Sequence, residues 1–121
     1  MNKPISPRTH GMLDYATAGA TAILARLLDF SPPAARTART WAVGYGALSA
    51  LTDYPLALKR ALPFRGHGAL DAVMAPLIPA LPWLLGFARD RRARNFFLGL
   101  AAITAIVTLL TDWQSPTTDR A

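Results

Sequence analysis

Two histidines stand at the same distance from an aspartate in two parts of the chain. His10 and Asp14 lie four positions apart, and so do His67 and Asp71. Residues with this spacing share one face of a helix, so each histidine is predicted to lie within reach of its aspartate. Grouped imidazoles and carboxylates can bind cations or relay protons, which makes these pairs the strongest candidates for chemistry.

Two further aspartates end long apolar segments. A carboxylate near a helix C-terminus is disfavoured by the helix dipole, so a histidine or lysine of a neighbouring helix is expected to compensate for it. The sequence therefore predicts a His–Asp–Asp cluster on each side of the molecule, and pairing between the two sides is equally open. The candidate polar or ion cluster comprises His10, Asp14, Asp53, His67, Asp71 and Asp112.

Three roles are open for this cluster. It could join helix ends by hydrogen bonds and ion pairs, which is the commonest role of ionisable residues at span ends. It could handle protons or cations, or His10 and His67 could ligate a metal or haem. The chain has no HExxH, nucleophile elbow, phosphate-binding loop or GxGxxG, so we expect no enzyme, no catalytic residue and no cofactor.

The elements that position these residues are strongly apolar. The chain has 121 residues, of which 52% are hydrophobic and 17% are charged, and it has no cysteine. Disulfide scaffolds, thiolate metal sites and cysteine nucleophiles are thereby excluded. The net charge is +6. Because the basic residues cluster in turns, we expect them to form a surface that faces lipid headgroups. Nucleic acid is not an expected partner.

Four apolar segments carry their charges only near the ends. A charge at the end of a span can reach the headgroups, whereas a charge at the centre is costly. None of the segments shows the polar stripe of a soluble amphipathic helix. The sequence therefore predicts an all-α protein with four transmembrane helices, with a soluble helical bundle as the alternative. The segments are Met12–Leu28, Thr40–Leu58, Ala72–Ala88 and Asn95–Thr111.

Prolines recur every third residue in the third segment, at Pro76, Pro79 and Pro82. Each removes a backbone hydrogen bond, so a kink is predicted there. A kinked helix packed on its neighbours is favoured over a broken helix that lines a transport path. The connections, by contrast, are predicted to be short: Asp29–Arg39 and the basic turn Arg89–Arg94.

The chain also repeats itself. The block His10–Asp14 (HGMLD) returns 57 residues later as His67–Asp71 (HGALD), and the LTD of Leu51–Tyr54 returns in Leu110–Trp113. Two tandem parallel hairpin repeats are predicted, at about residues 8–58 and 65–114 of a single membrane domain, residues 1–121. A repeat with an even number of crossings brings both motif ends to one membrane face.

These motifs, together with the block Pro82–Phe87 (PWLLGF), resemble the SPW-repeat family of small bacterial integral membrane proteins. Leu81 stands where the family has serine, and Ala25-Arg26 stands where the first copy would have Pro-Trp. The resemblance implies a multi-span protein of the bacterial inner membrane and no activity. A structural or accessory role in the lipid bilayer is therefore expected. Rows of small residues leave a homo-oligomer or a larger membrane complex open.

Overall fold

The computed structural model describes residues 3–117, and within this range all regular structure is helical. The prediction of an all-α fold is thereby confirmed. A 3₁₀ turn at Ile78–Ala80 separates the third helix from the fourth. The helices are α1 (Pro7–Leu27), α2 (Pro32–Ala50), α3 (Phe64–Leu77), α4 (Leu81–Leu84) and α5 (Arg91–Leu110).

Proline starts the first two helices. In α1, Pro7 follows the N-cap Ser6, whose side chain accepts a hydrogen bond from the backbone N–H of Thr9. In α2, two prolines occupy the first turn after Ser31. Proline is favoured in a first turn because its missing N–H would have no partner there. For this reason α2 begins within the stretch that the sequence predicted as a connection.

The second helix ends earlier than its apolar segment predicts. Helix α2 stops at Ala50, and the following chain folds back on that end instead of continuing as a helix. The backbone N–H groups of Leu58 and Lys59 both donate to the carbonyl of Ala50, and that of Leu62 donates to the carbonyl of Leu51. The loop thus satisfies the carbonyls that a helix end leaves without partners.

The proline-rich stretch forms three short pieces of helix. Pro76 lies inside α3, which ends at the next residue, and Pro79 lies in the 3₁₀ turn. Pro82 lies in the first turn of α4, where proline is tolerated. The three pieces together cover residues 64–84, the same length as α1.

Helix α1 and the proline-rich stretch, residues 64–84, are followed by the same kind of backbone turn. Asp29 has a φ of 51° and Gly86 a φ of 79°. The next residue in each case donates its N–H five residues back, from Phe30 to Ala25 and from Phe87 to the carbonyl of a proline. This is the Schellman pattern, which requires a left-handed residue at the helix end.

The helices pack as two antiparallel hairpins. We call them the first hairpin (α1 and α2 with the LTD block that follows α2) and the second hairpin (α3 to α5 with the LTD block that follows α5). Small side chains fill much of the interior and let the backbones approach closely. Aromatic rings close the core at the turn end, where the ring centroids of Phe87 and Phe97 lie 5.4 Å apart. The buried alanines are Ala18, Ala25, Ala34, Ala38, Ala42, Ala93 and Ala101.

Among the described residues, one helix is long and apolar enough to cross a membrane. This is α5, whose best 18-residue window has a mean hydropathy of 1.7 and is 22% buried. Such a helix by itself is weak evidence, because core helices of soluble proteins meet the same criterion.

Candidate functional site

A quartet of side chains forms at the end of the bundle where α1 and α3 begin. It consists of His10, Asp14, His67 and Asp71, whose ligating atoms all lie within 4.8 Å of one another. The Nε2 of His10 is 3.3 Å from Asp14 Oδ2 and 3.2 Å from Asp71 Oδ2. The Nε2 of His67 is 3.0 Å and 3.3 Å from the same two oxygens. Nitrogen and oxygen therefore alternate around a small ring.

Most of the quartet is buried, and the Asp14 side chain is 12% exposed. Both histidines are fully buried, and Asp71 is 4% exposed. Neither Nε2 makes a hydrogen bond, although two carboxylate oxygens lie close to each of them. This is the geometry expected when each ring nitrogen points between two oxygens instead of at one of them.

The other ring nitrogen of each histidine is held by a threonine. His10 Nδ1 lies 2.8 Å from Thr111 Oγ1, and His67 Nδ1 lies 2.8 Å from Thr52 Oγ1. Each hydroxyl donates its single proton to a helix carbonyl four residues back, at 2.6 Å. The hydroxyl oxygen must then accept from the ring, so we infer that Nδ1 carries the proton. In the neutral imidazole this leaves a lone pair on each Nε2.

Tyrosines hold the carboxylates from the other side. The hydroxyl of Tyr45 in α2 donates to Asp71 Oδ1 at 3.0 Å, so the Oδ2 of that group is left to face the histidines. The hydroxyl of Tyr54 lies 3.4 Å from Asp14 Oδ2. Both carboxylates are thus oriented by groups of the first hairpin.

Aromatic rings line the quartet. The His10 ring lies 4.8 Å from the ring of Trp113 and 5.6 Å from that of Phe64, in each case edge to face. The Tyr54 and His67 rings lie 5.9 Å apart. These walls exclude water and lower the local dielectric, which strengthens every charge interaction inside.

Glycine lets two of these rings approach the helices. A Cβ at Gly68 would lie 2.9 Å from the ring of Trp113, and a Cβ at Gly11 would lie 3.3 Å from that of Tyr54. The glycine of each HG pair therefore admits the aromatic residue of the LTD block in the same hairpin.

Short extended segments deliver the threonines. Helix α2 ends in the C-cap residue Leu51, and Thr52 follows it directly. The N–H of Asp53 then donates to the carbonyl of Leu62 at 2.7 Å. After α5, which is followed by Thr111, the N–H of Asp112 donates to the carbonyl of Ile5 at 2.8 Å. Successive side chains of an extended segment point to opposite sides. The threonine therefore faces inward and the following aspartate outward.

For this reason two of the six predicted cluster residues lie outside the quartet. Asp53 Oδ1 lies 3.9 Å from Arg60 Nε, and both side chains are about 40% exposed (43% and 39%). Asp112 Oδ1 accepts from the N–H of Gln114 and lines a surface depression with Lys3. The compensating groups are thus an arginine and the backbone, not the histidines.

Sequence reasoning missed the threonines and the two tyrosines. One signal for the threonines was available, because Thr52 and Thr111 occupy the same place in the two LTD blocks. The partnership also crosses between the hairpins: the histidine of each binds the threonine of the other. For Tyr45 no repeat signal existed, and its role follows only from its hydrogen bond across from α2 to α3.

A small cavity adjoins the quartet. Its volume is about 30 Å³, and its wall includes Asp14, Asp71, Thr17 and Tyr45. That volume is enough for one or two water molecules. The cavity lies on the side of the carboxylates that faces the middle of the bundle.

The opposite end of the bundle has a single carboxylate that serves two helices. Asp90 accepts from the N–H of Ala93 in α5 and, at 2.7 Å, from the N–H of Ser31 before α2. Burial by itself would raise the pKa of this carboxyl, but the backbone N–H groups of Ser31 and Ala93 outweigh it and lower the pKa. This end is therefore a structural cap.

No family model, curated protein or solved structure matches the chain. The resemblance to the SPW-repeat family stays a prediction.

Proposed function

We propose that this chain is a four-span integral protein of the bacterial inner membrane with a structural or accessory role. Its two tandem hairpin repeats would be joined at one membrane face by the quartet. One observation carries the membrane assignment: every long helix exposes large apolar side chains. They include Ile23 in α1, Val43 in α2, Val73 in α3 and Ile106 in α5, each more than half exposed.

This distribution supports lipid as the surrounding solvent. A soluble monomer seldom exposes apolar patches on every side, since such patches promote association. The dimensions agree as well. Helix α1 has 21 residues, or about 31 Å at roughly 1.5 Å per residue, which is close to the thickness of a bilayer core.

The quartet supports the structural role because each hairpin supplies half of it. Every histidine contacts both aspartates, so the contacts hold the start of α1 against the start of α3. Equivalent partners at equivalent positions also support the repeat interpretation. The pairs are His10 with Thr111 and His67 with Thr52.

The membrane assignment can be tested with single cysteines, because the natural chain has none. We expect the chain to stay in membranes after an alkaline carbonate wash. Lys59→Cys and Gln114→Cys should react alike with a membrane-impermeant maleimide in intact cells, and Arg91→Cys should react oppositely. Release by carbonate, or equal labelling of all three, would contradict four spans.

A second function, proton or cation handling, is favoured by the cavity beside Asp14 and Asp71. Liposomes containing the purified protein provide the test. If the role is structural, the wild-type protein and Asp71→Asn should both leave a proton or potassium gradient intact. Flux that the wild type supports and Asp71→Asn abolishes, with Asp53→Asn unchanged, would replace the structural proposal by the transport one.

A further inference from the structure

We propose that the quartet is a four-coordinate site for a divalent transition-metal ion of the Zn²⁺ class. The ligands are His10 Nε2, His67 Nε2, Asp14 Oδ2 and Asp71 Oδ2. The assignment does not depend on where the membrane lies, because one chain supplies all four atoms and three of the four residues are buried.

The distances suit such an ion. The four neighbouring nitrogen–oxygen distances run from 3.0 to 3.3 Å. Ligands about 2.0 Å from a tetrahedral Zn²⁺ lie about 3.3 Å from one another. Opposite atoms lie up to 4.8 Å apart, so the ring is flatter than a tetrahedron and its centre lies about 2.0–2.4 Å from each atom. A slight pucker of the ring would bring the four atoms to tetrahedral positions.

The histidines provide a second, independent observation. Both Nε2 atoms are fully buried and have no hydrogen-bond partner. Their lone pairs, set by the protonated Nδ1 atoms, would face two carboxylates across about 3 Å. Each Nε2 can therefore hold either a second proton or a metal ion, and one divalent cation at the centre would satisfy all four groups at once in place of those protons.

The surroundings also match those of a metal site. A histidine that ligates a metal ordinarily donates its second ring N–H to a fixed acceptor, which sets the tautomer and the ring orientation. Here Thr111 and Thr52 are those acceptors, and Tyr45 fixes the free oxygen of Asp71. Two carboxylates and one divalent ion sum to zero charge, which a buried site requires.

The donor set selects among ions and cofactors. Two imidazoles and two carboxylates are ligands that Zn²⁺ takes in four-coordinate, tetrahedral sites. Mg²⁺ prefers oxygen ligands and keeps several waters, for which the adjoining cavity of about 30 Å³ is too small. A porphyrin between the two histidines would need the region that Asp14 Oδ2 and Asp71 Oδ2 occupy.

The full-length chain, purified in detergent and stripped with a chelator, should bind Zn²⁺ at one ion per chain. Elemental analysis after gel filtration measures this stoichiometry. Co²⁺ alone should give the intense visible bands of tetrahedral coordination, and Mg²⁺ alone should not compete. Zn²⁺ should also raise the melting temperature in proportion to the logarithm of its concentration above Kd.

Ligand variants and matched controls locate the site. Asp71→Asn and His67→Gln should weaken Zn²⁺ binding by more than about 100-fold. Asp53→Asn and Asp112→Asn remove the same charge outside the quartet and should leave affinity unchanged. Equal binding by all four variants would overturn the assignment, because the bound ion would then sit elsewhere.

Thr52→Val keeps every ligand and removes the hydroxyl that accepts from the His67 N–H and donates to the carbonyl of Leu48. This threonine is a positioning residue, so its loss should weaken Zn²⁺ binding about 10–100-fold and alter the Co²⁺ spectrum. A folded wild-type protein that takes up neither Zn²⁺ nor Co²⁺ would overturn the proposal. The quartet would then be two imidazolium–carboxylate pairs, and the membrane proposal would be unaffected.

Discussion

The two hairpins follow similar paths with different helices. The first begins with a continuous helix of 21 residues, whereas the second covers the same length in three pieces around a 3₁₀ turn. Yet both reach the quartet at one end and a left-handed residue at the other, Asp29 or Gly86. The contacts at the two ends are therefore what the hairpins share, and the middle tolerates interruption by proline.

The two hairpins also differ in how tightly their aromatic rings pack and in how their helices are capped. Near the quartet, Trp113 of the second hairpin packs more tightly on its glycine than Tyr54 of the first does on its own. At the turn end, Asp90 of the second hairpin caps α5 and also binds the N–H of Ser31, whose own side chain makes no capping bond. Stability should consequently be more sensitive to changes in the second hairpin.

The largest expected difference in stability between the hairpins is at the glycines of the two HG pairs, Gly11 and Gly68. Gly68→Ala should lower the free energy of unfolding by about 1–3 kcal/mol, because its Cβ would overlap the ring of Trp113. That ring is held in place by a hydrogen bond from Nε1 to the carbonyl of Thr108 at 2.9 Å. Gly11→Ala should cost less, since the looser contact is offset by about 1 kcal/mol of helix propensity.

Reversible denaturation in detergent measures both variants. An equal loss for the two, or a larger one for Gly11→Ala, would show that the hairpins are packed alike at this end.

The next difference is at the left-handed turns. Gly86→Ala should destabilise the protein by about 1–2 kcal/mol, because a Cβ is strained at positive φ. Asp29→Gly should cost nothing, since it removes that strain from the first hairpin. Melting temperatures of the two variants against the wild type provide the measurement. Destabilisation by Asp29→Gly would indicate that its side chain makes a contact that outweighs the strain.

The smallest expected difference in stability is at the N-caps of α2 and α5, Ser31 and Asp90. Asp90→Ala should cost about 1 kcal/mol, and Ser31→Ala only a few tenths. The folded pKa of Asp90 is lowered from 3.8, so its contribution is present above about pH 4 and is lost as the pH falls through the folded pKa.

Unfolding measured from pH 6 to pH 2 tests this dependence on protonation. The gap between the wild type and Asp90→Ala should narrow toward the acid end, and the gap for Ser31→Ala should change less. A gap for Asp90→Ala that does not narrow as the pH falls below 4 would mean that packing, not the carboxylate, is responsible.

Part of the candidate site could be predicted from local spacing. His10 and Asp14, like His67 and Asp71, were expected to be neighbours because four residues make about one helical turn. Asp53 and Asp112 were expected beside them because they follow apolar segments. Their true direction depends on the backbone after the helix, where an extended residue turns Thr52 inward and its neighbour outward. No periodicity in the sequence reports that change.

The same limit applies to the helix ends. The first-turn prolines of α2 are favourable in a helix as well as in a loop, so the stretch from Pro32 to Arg39 was predicted as a connection. The end of α2 at Ala50 depends on the loop that binds its last carbonyls. The two ends of α2 therefore depend on how the local preference of these residues for helix or loop competes with the hydrogen bonds that other parts of the chain offer.

The sequence by itself determined the helical composition of the chain, the two His–Asp pairs and the proline-rich interruption, because each depends on residues within one or two turns. The tertiary structure alone decided that the pairs merge into a single quartet, with each histidine bound to the threonine of the other hairpin. Those partners are far apart in the chain, and only the packing of one hairpin on the other brings them together.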